Sequence, residues 1–319
     1  MTEEFRESFS KINKNHQLAW DNTSLIALKK CPRYYQYSIL EGYASGGENT
    51  HFRWGSEYNN ALVMYNQAIA DGMTKDEATA SAVAYALEHT WDFELDRPWV
   101  STMPMKTRET LVRSIIWYLD KYYDDPIETQ VLETGKSAVE LSCRVDIDLT
   151  SELTGESYLL CGYVDRKGSF MGSSWVTDWK STKSALDEKY FESYSPNNQV
   201  SQYSFIMNIL DDEPVKGVII DAVQLGVSYS RFQRGLIPRT PSVLEEWFRD
   251  AVYYIRLNEK FLEANYWPQN DTACTKLGGC HFKEVCSKSP AIRLILLKAS
   301  FDQTGIENAY NPFWDRSDR

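Results

Sequence analysis

The 319-residue sequence lacks several features that would identify its class at once. No stretch approaches the roughly 18 uninterrupted apolar residues of a transmembrane helix. The opening segment, MTEEFRESFSKINKNHQ, is polar where a signal peptide would be apolar. No glycine-rich phosphate loop of the Walker type occurs, which argues against an intrinsic ATPase motor. These absences predict a soluble, intracellular protein, and an apolar content of 43% with 25% charged residues predicts a folded one.

Positive charge is also scarce. The chain has 34 Lys and Arg against 45 Asp and Glu, a formal charge of −11 and a pI of about 5.0. General polyanion binders usually carry a broad basic surface, so the composition argues against that class. It leaves room for a confined basic groove.

The six cysteines are unevenly distributed. Cys143 and Cys161 lie within apolar runs and are predicted to be buried core thiols. Three others occur in a short glycine-containing segment with five residues between successive members, which is typical of metal ligands: Cys274, Cys280 and Cys286. A fourth ligand would be Cys31, His281 or one of the strand cysteines. The residues alone do not separate zinc from an iron–sulfur cluster.

Hydrophobic periodicity divides the chain into a helical first part and a mixed second part. Helical spacing predominates up to about residue 125, with Ser24 as a predicted N-cap and a capping box at Thr74–Glu77. Three alternating, β-branched segments follow, and then a helix predicted to begin with Ser195 as N-cap, a strand and a long helix. We therefore predict an α/β fold with a helical region over 1–135 and a mixed core with a cysteine loop over 136–319, together forming one integrated domain.

The pattern that best indicates chemistry is GYVDR followed by VTDWK. The intervening KGSFMGSS suits a hairpin turn, and a turn centred on Met171–Gly172 places Asp165 opposite Asp178. Two opposed carboxylates repel each other unless a cation lies between them. A hard ion such as Mg²⁺ needs only one or two carboxylates. Lys180 shares the face of Asp178, so the hairpin predicts metal-assisted phosphodiester hydrolysis.

Two further pairs were considered as candidates. Gln199 and Tyr203 lie four residues apart on a predicted helix and therefore share a face, where an amide and a phenol would contact a phosphate or a base. Asp146 and Asp148 also share a strand face, but no lysine accompanies them. We interpret this second pair as a solvated strand face.

Taken in order, five motifs resemble a known family: Cys31-Pro-Arg-x-Tyr, GYVDR, D-W-K, Gln199-x-x-x-Tyr203 and the three-cysteine segment. They resemble the PD-(D/E)xK nucleases of the RecB nuclease-domain type. Within that group the resemblance is to the branch with a four-cysteine [4Fe-4S] cluster, which includes AddB nuclease domains, CRISPR-associated exonucleases and phage proteins. It spans residues 24 to 286.

The resemblance implies a restriction-endonuclease-like mixed sheet flanked by helices, in a cytoplasmic protein of a bacterial, archaeal or phage-infected cell. It implies a Mg²⁺- or Mn²⁺-dependent deoxyribonuclease, most simply an exonuclease on single strands or duplex ends, in recombination, repair or CRISPR adaptation. By this resemblance Asp165, Asp178 and the carbonyl of Trp179 bind the metal, Lys180 is the catalytic lysine, and Glu140 has a supporting role at the site. Gln199 and Tyr203 contact DNA. The cluster ligands would be Cys31, Cys274, Cys280 and Cys286. Two local groups of cations near these motifs would supply a narrow DNA track: Lys29, Lys30 and Arg33, and then Arg166, Lys167, Lys180, Lys183 and Lys189.

One position departs from the family pattern. The early helix of the family usually reads G-x-x-x-H, with the histidine reaching the metal, whereas Gly55-Ser-Glu-Tyr-Asn59 places an amide there. Glu57 or His51 would be the substitutes. Asn59 favours a second hypothesis, a cluster-containing DNA-binding or adaptor protein with weak or lost nuclease activity. A zinc-stapled α/β protein without a nucleic-acid role is a third.

Overall fold

A computed structural model describes residues 8–46, 49–275 and 279–303. Its elements, in chain order, are β1 (Ala19–Trp20), α1 (Asn22–Lys30), α2 (Pro32–Tyr35) with a π-helical extension (Gln36–Leu40), β2 (Tyr43–Ala44), α3 (Thr50–Ala70), α4 (Lys75–His89), β3 (Trp91–Asp92), β4 (Arg97–Pro98), α5 (Arg108–Lys121), β5 (Glu128–Thr129), β6 (Val139–Thr150), β7 (Ser157–Phe170), β8 (Ser173–Thr182), α6 (Glu188–Glu192), α7 (Asn198–Leu210), β9 (Gly217–Leu225), β10 (Ser230–Pro238), α8 (Pro241–Glu263), a 3₁₀ turn (Asp271–Ala273), α9 (Lys283–Cys286), α10 (Pro290–Ser300) and β11 (Asp302–Gln303). None of these helices is long and apolar enough to cross a membrane.

The chain forms two compact units, of which one comprises 48–142 and 163–241. Its sheet is mixed: β7 and β8 are antiparallel, β8 and β9 are parallel, and β9 and β10 are antiparallel, with β5 added on β7. The parallel step requires a crossover, which α6 and α7 provide. Helices α3, α4 and α5 bury an aromatic-rich core that includes Trp54, Tyr58 and Trp179.

The other unit comprises, of the described residues, 8–46, 143–162, 242–275 and 279–303. Here β1 pairs in parallel with the start of β7, Ala19 opposite Leu159. The short β2 and β11 pair with each other. A small cluster of Tyr37, Phe282 and Leu297 is buried beside the cysteine segment.

Several sequence predictions fail in their details. The N-cap of α1 is Asp21, and Ser24 is instead the third helical residue of a capping box. The N-cap of α7 is Asn197, so Ser195 and Pro196 precede the helix. The helix expected over 24–40 is interrupted at Cys31, whose backbone is extended, because a residue before proline is disfavoured in the α region. The capping box at Thr74 is confirmed.

Candidate active site

The β7–β8 hairpin has the predicted register. Its ladder runs from Phe170 opposite Ser173 to Arg166 opposite Thr177. Met171 and Gly172 both have positive φ, 51° and 71°, as a two-residue type I′ turn requires. The local turn chemistry therefore determines which side chains face each other at the far end of the hairpin.

Asp165 and Asp178 are brought together as expected, and both are buried, with 8% and 2% of their surface exposed. Burial, followed by the charge of Asp178, raises the pKa of Asp165 well above its usual range. Lys180 opposes that shift, and Glu140 adds to it. Two desolvated carboxylates that repel each other favour a shared cation.

Lys180 lies directly against Asp178. Its ammonium is 2.8 Å from Oδ1 and 2.7 Å from Oδ2 of that carboxylate. Burial lowers the pKa of Lys180, but the charges of Asp178 and Asp165 outweigh burial and raise it, so the ammonium stays protonated. At this position it can bind a phosphate oxygen or orient a water.

Asn59 and Glu140 also belong to the site. The Asn59 amide, on α3, is 3.4 Å from Oδ2 of Asp165. Glu140 acts electrostatically on Asp165 and has a φ of 46°, a left-handed backbone that is uncommon outside glycine and often found at functional sites. Glu57, by contrast, interacts with Tyr85 and His89.

The residues present fit a divalent ion. Oδ2 of Asp178 is buried and accepts no directed hydrogen bond, although the Lys180 ammonium is near. Magnesium takes one or two carboxylates and completes its shell with water and phosphate oxygens. Within the described part of the chain, no three His, Cys, Asp or Glu side chains form a ready-made ligand set. The fit therefore rests on the two aspartates.

Gln199 and Tyr203 share a face of α7, as predicted. The Gln199 amide donates a 2.9 Å hydrogen bond to the Tyr203 hydroxyl. Tyr203 is buried and Gln199 is partly exposed, so the glutamine is the accessible member.

Two tyrosines near the site were missed by sequence reasoning. The hydroxyls of Tyr190 and Tyr194 are 3.1 Å apart. Burial and the hydrogen bond between the two hydroxyls raise the pKa of Tyr190. The charge of Lys180 acts to lower that pKa, and the charge of Asp178 acts to raise it. The Y-x-x-x-Y spacing after the D-W-K motif was the available signal.

Part of the expected basic track is not available to a ligand. Arg166 is buried in an ion pair with Asp125, and Lys167 is buried in one with Asp211. Lys183 and Lys189 are exposed. Of the five cations near the hairpin, Lys183, Lys189 and the partly exposed Lys180 can therefore contact an anion from solution.

The four cysteines implied as cluster ligands lie in the other unit. The Cys31 sulfur accepts the Asn270 N–H at 3.3 Å, and the Cys280 N–H donates to the Cys274 carbonyl at 3.1 Å. Burial, then the neighbouring Cys280 and Cys31, raises the pKa of Cys274, and Cys280 and Cys31 also act to raise that of Cys286. Among the described residues, however, these thiols do not form a ready-made metal-binding group. Residues 276–278 of this segment, including Gly278, lie outside the described residues.

The remaining cysteine and carboxylate predictions are confirmed. Cys143 and Cys161 are buried. Asp146 and Asp148 are exposed on β6, where the Asp148 N–H donates to the Asp146 carboxylate at 2.9 Å. Neither pair belongs to the candidate site.

A comparison with protein families identifies the superfamily of the chain. The family model for the PD-(D/E)XK nuclease superfamily matches residues 22–287, so the chain belongs to that superfamily. The mixed sheet flanked by helices confirms the predicted fold class. No curated protein sequence matches the chain.

Two solved structures were also matched, both at low identity. One is a protein from Eubacterium rectale described as a "putative exonuclease", with a TM-score of 0.47 and 14% identity over 92% of this chain and 97% of that one. The other is SSO0001, with a TM-score of 0.27 and 10% identity over 64% of this chain and 85% of that one.

Proposed function

We propose that this protein is a Mg²⁺- or Mn²⁺-dependent deoxyribonuclease that acts as an exonuclease on single strands or duplex ends. The observation that carries the proposal is the buried pair Asp165 and Asp178, with the Lys180 ammonium within 2.8 Å of the second carboxylate. Membership of the PD-(D/E)XK nuclease superfamily supports it.

Asp165 and Asp178 would hold the divalent ion, with the carbonyl of Trp179 beside them. When bound, such an ion polarises the scissile phosphate and makes a coordinated water more acidic. Lys180 would bind a nonbridging phosphate oxygen and stabilise the negative charge that develops there. Asn59 would orient the Asp165 carboxylate, since its amide already faces Oδ2. Gln199 would contact the DNA backbone, positioned by its hydrogen bond to Tyr203.

The deciding experiment is digestion of end-labelled single-stranded and duplex DNA with Mg²⁺ or Mn²⁺. We expect metal-dependent cleavage that Lys180→Ala reduces by at least about 100-fold, as for loss of one charge-stabilising group. Lys136→Ala, which removes an exposed lysine of the same unit, is the matched control. Cleavage of circular as well as linear substrates would replace the exonuclease assignment by an endonuclease one. Activity that survives Lys180→Ala would overturn the site assignment.

The departure at Asn59 favours a second candidate, a DNA-binding or adaptor protein with weak or lost nuclease activity. Here the same fold would bind DNA without turning it over. Wild-type protein that binds labelled DNA but leaves it intact with either metal would select this candidate.

We also propose a [4Fe-4S] cluster held by Cys31, Cys274, Cys280 and Cys286. Four thiols suit either a [4Fe-4S] cluster or zinc, and the resemblance to the cluster-containing branch favours iron–sulfur. Brown protein containing iron and acid-labile sulfide would support the cluster. A colourless protein with one zinc ion would favour the alternative.

A further inference from the structure

A buried lysine lies close to the strand that carries Asp178 and Lys180. Lys106 precedes α5 and has only 7% of its surface exposed. Its ammonium donates to the Ser181 hydroxyl at 2.9 Å and lies 3.5 Å from the His51 carbonyl. The ring of Trp54 lies beneath it, with its centroid 5.2 Å away.

This ammonium has no acidic partner among the described residues. Buried lysines are rare unless they are paired, because the lost hydration must be replaced. Burial alone lowers the pKa of Lys106 to about 8, with no carboxylate opposing the shift. The group is therefore a cation at neutral pH for which no described residue supplies a counter-ion.

Other positive charges surround the same point. His51 and Lys183 are both exposed. Burial, and then the charges of Lys106 and Lys183, lower the pKa of His51, and Lys183 follows Ser181 by two residues. His51 also lies in the first turn of the 21-residue α3, where no acidic residue offsets the positive end of the helix dipole.

The location connects these groups to the candidate active site. Ser181 directly follows Lys180, and β8 ends one residue later at Thr182. Side chains alternate along a strand, so Lys180 and Ser181 point to opposite faces at its carboxyl end. An anion held by Ser181 would therefore lie at the same end of β8 as Lys180 but on the other side of the strand, as a different phosphate from the reacting one.

We propose that Lys106, Ser181, Lys183 and His51 form a binding site for a nonscissile phosphodiester of the substrate strand. This rests on the proposed nuclease function for the identity of the ligand. The hydroxyl and the buried ammonium bind the phosphate oxygens, and the two exposed cations add electrostatic attraction. The site positions the strand and takes no part in bond cleavage.

The test is the affinity for a fluorescent single-stranded oligodeoxynucleotide, measured by anisotropy in EDTA across a range of salt concentrations. Lys183→Ala and Lys106→Met should each raise the Kd roughly 3- to 10-fold, and should reduce the slope of log K against log salt by about 0.7, the value for one lost phosphate contact. Lys106→Arg should recover most of the affinity, because it keeps the charge. Lys136→Ala should leave both quantities near their wild-type values.

In cleavage assays the same variants should raise KM and leave kcat within about threefold, since uniform binding is lost. Equal Kd and equal salt slope for Lys183→Ala and Lys136→Ala would overturn the phosphate site. Lys183 is exposed, so its replacement tests the proposal even where Lys106→Met fails to fold. A wild-type protein that binds DNA without cleaving it would contradict the proposed function alone.

Discussion

Oδ2 of Asp165 accepts a 2.8 Å hydrogen bond from the backbone N–H of Trp179. The antiparallel ladder of the hairpin ends one pair earlier, at Arg166 and Thr177. The Asp165 side chain thus binds the backbone N–H of the residue that follows Asp178. This hydrogen bond fixes the Asp165 carboxylate beside that of Asp178. The backbone geometry therefore holds the two carboxylates close together despite their mutual repulsion.

Relief of that repulsion gives the first prediction. Asp165→Asn should leave the free energy of unfolding in EDTA unchanged or higher, because one of two like charges is removed. It should also abolish the stabilisation that Mn²⁺ gives the wild type, about 2.7 kcal/mol at a metal concentration 100 times the Kd. Urea unfolding with and without Mn²⁺ measures both effects. Asp146→Asn, at an exposed carboxylate of β6, is the control, and an undiminished Mn²⁺ effect in Asp165→Asn would exclude this carboxylate as a ligand.

The amide at position 59 gives the second prediction. An imidazole nitrogen is a better ligand for Mn²⁺ than for Mg²⁺, whereas an amide oxygen suits both ions. Asn59→His should therefore raise the ratio of Mn²⁺-supported to Mg²⁺-supported cleavage by roughly 10-fold, about 1.4 kcal/mol of differential binding. Metal titrations of the initial cleavage rate supply the comparison. An unchanged ratio would mean that position 59 acts only by orienting Asp165.

The cysteines give the third prediction. Cys31→Ser should lower the iron and acid-labile sulfide content of the purified protein, because a hydroxyl is a poor replacement for a thiolate ligand. Cys143→Ala removes a buried thiol of β6 and should keep the wild-type content. Equal iron content in the two variants would remove Cys31 from the ligand set.

The sequence predicted those parts of the fold that depend on neighbouring residues. The hairpin register followed from the strand alternation and the Met171–Gly172 turn. The placement of Asp165, Asp178 and Lys180 followed from that register. The same reasoning could not find β10 or the contact between Lys106 and Ser181, 75 residues apart, because tertiary packing creates them. It also assigned Arg166 to a solvent-facing track, since charge alone does not reveal burial.

A buried ion network in the unit of the candidate site gives the fourth prediction. Arg234 pairs with Asp125 and with Asp221, and it stacks on Tyr122 with 3.7 Å to the ring centroid. Arg234→Met should lower the free energy of unfolding by about 3–5 kcal/mol, because it removes the cation paired with the buried Asp221, whereas Asp125 keeps its ion pair with Arg166. Lys75→Met breaks the exposed pair with Asp124 and should lower the free energy of unfolding far less, because solvent screens this pair. Similar losses in the two variants, measured by urea unfolding, would contradict a stabilising role specific to the buried network.

The pH dependence of stability gives the last prediction, which concerns Lys106. Its pKa is about 8 in the folded protein against an ordinary 10.5, so between these values the unfolded chain binds more protons than the folded one. Stability contributed by this group must then rise with pH over that window. From pH 7.5 to 10 the free energy of unfolding of the wild type should therefore increase relative to that of Lys106→Met by about 1–3 kcal/mol.

His51 does not disturb this comparison, because its pKa lies below its ordinary value and therefore outside the window from pH 7.5 to 10. Lys183 is present in both proteins. Lys136→Met repeats the subtraction for a lysine on the surface. A difference that is flat with pH would mean that Lys106 is solvated in the folded protein. An anion bound at the site would shift the rise to higher pH, because it favours the charged ammonium. Adding the single-stranded oligodeoxynucleotide to the same series should therefore displace the curve, and it should do so less in Lys183→Ala.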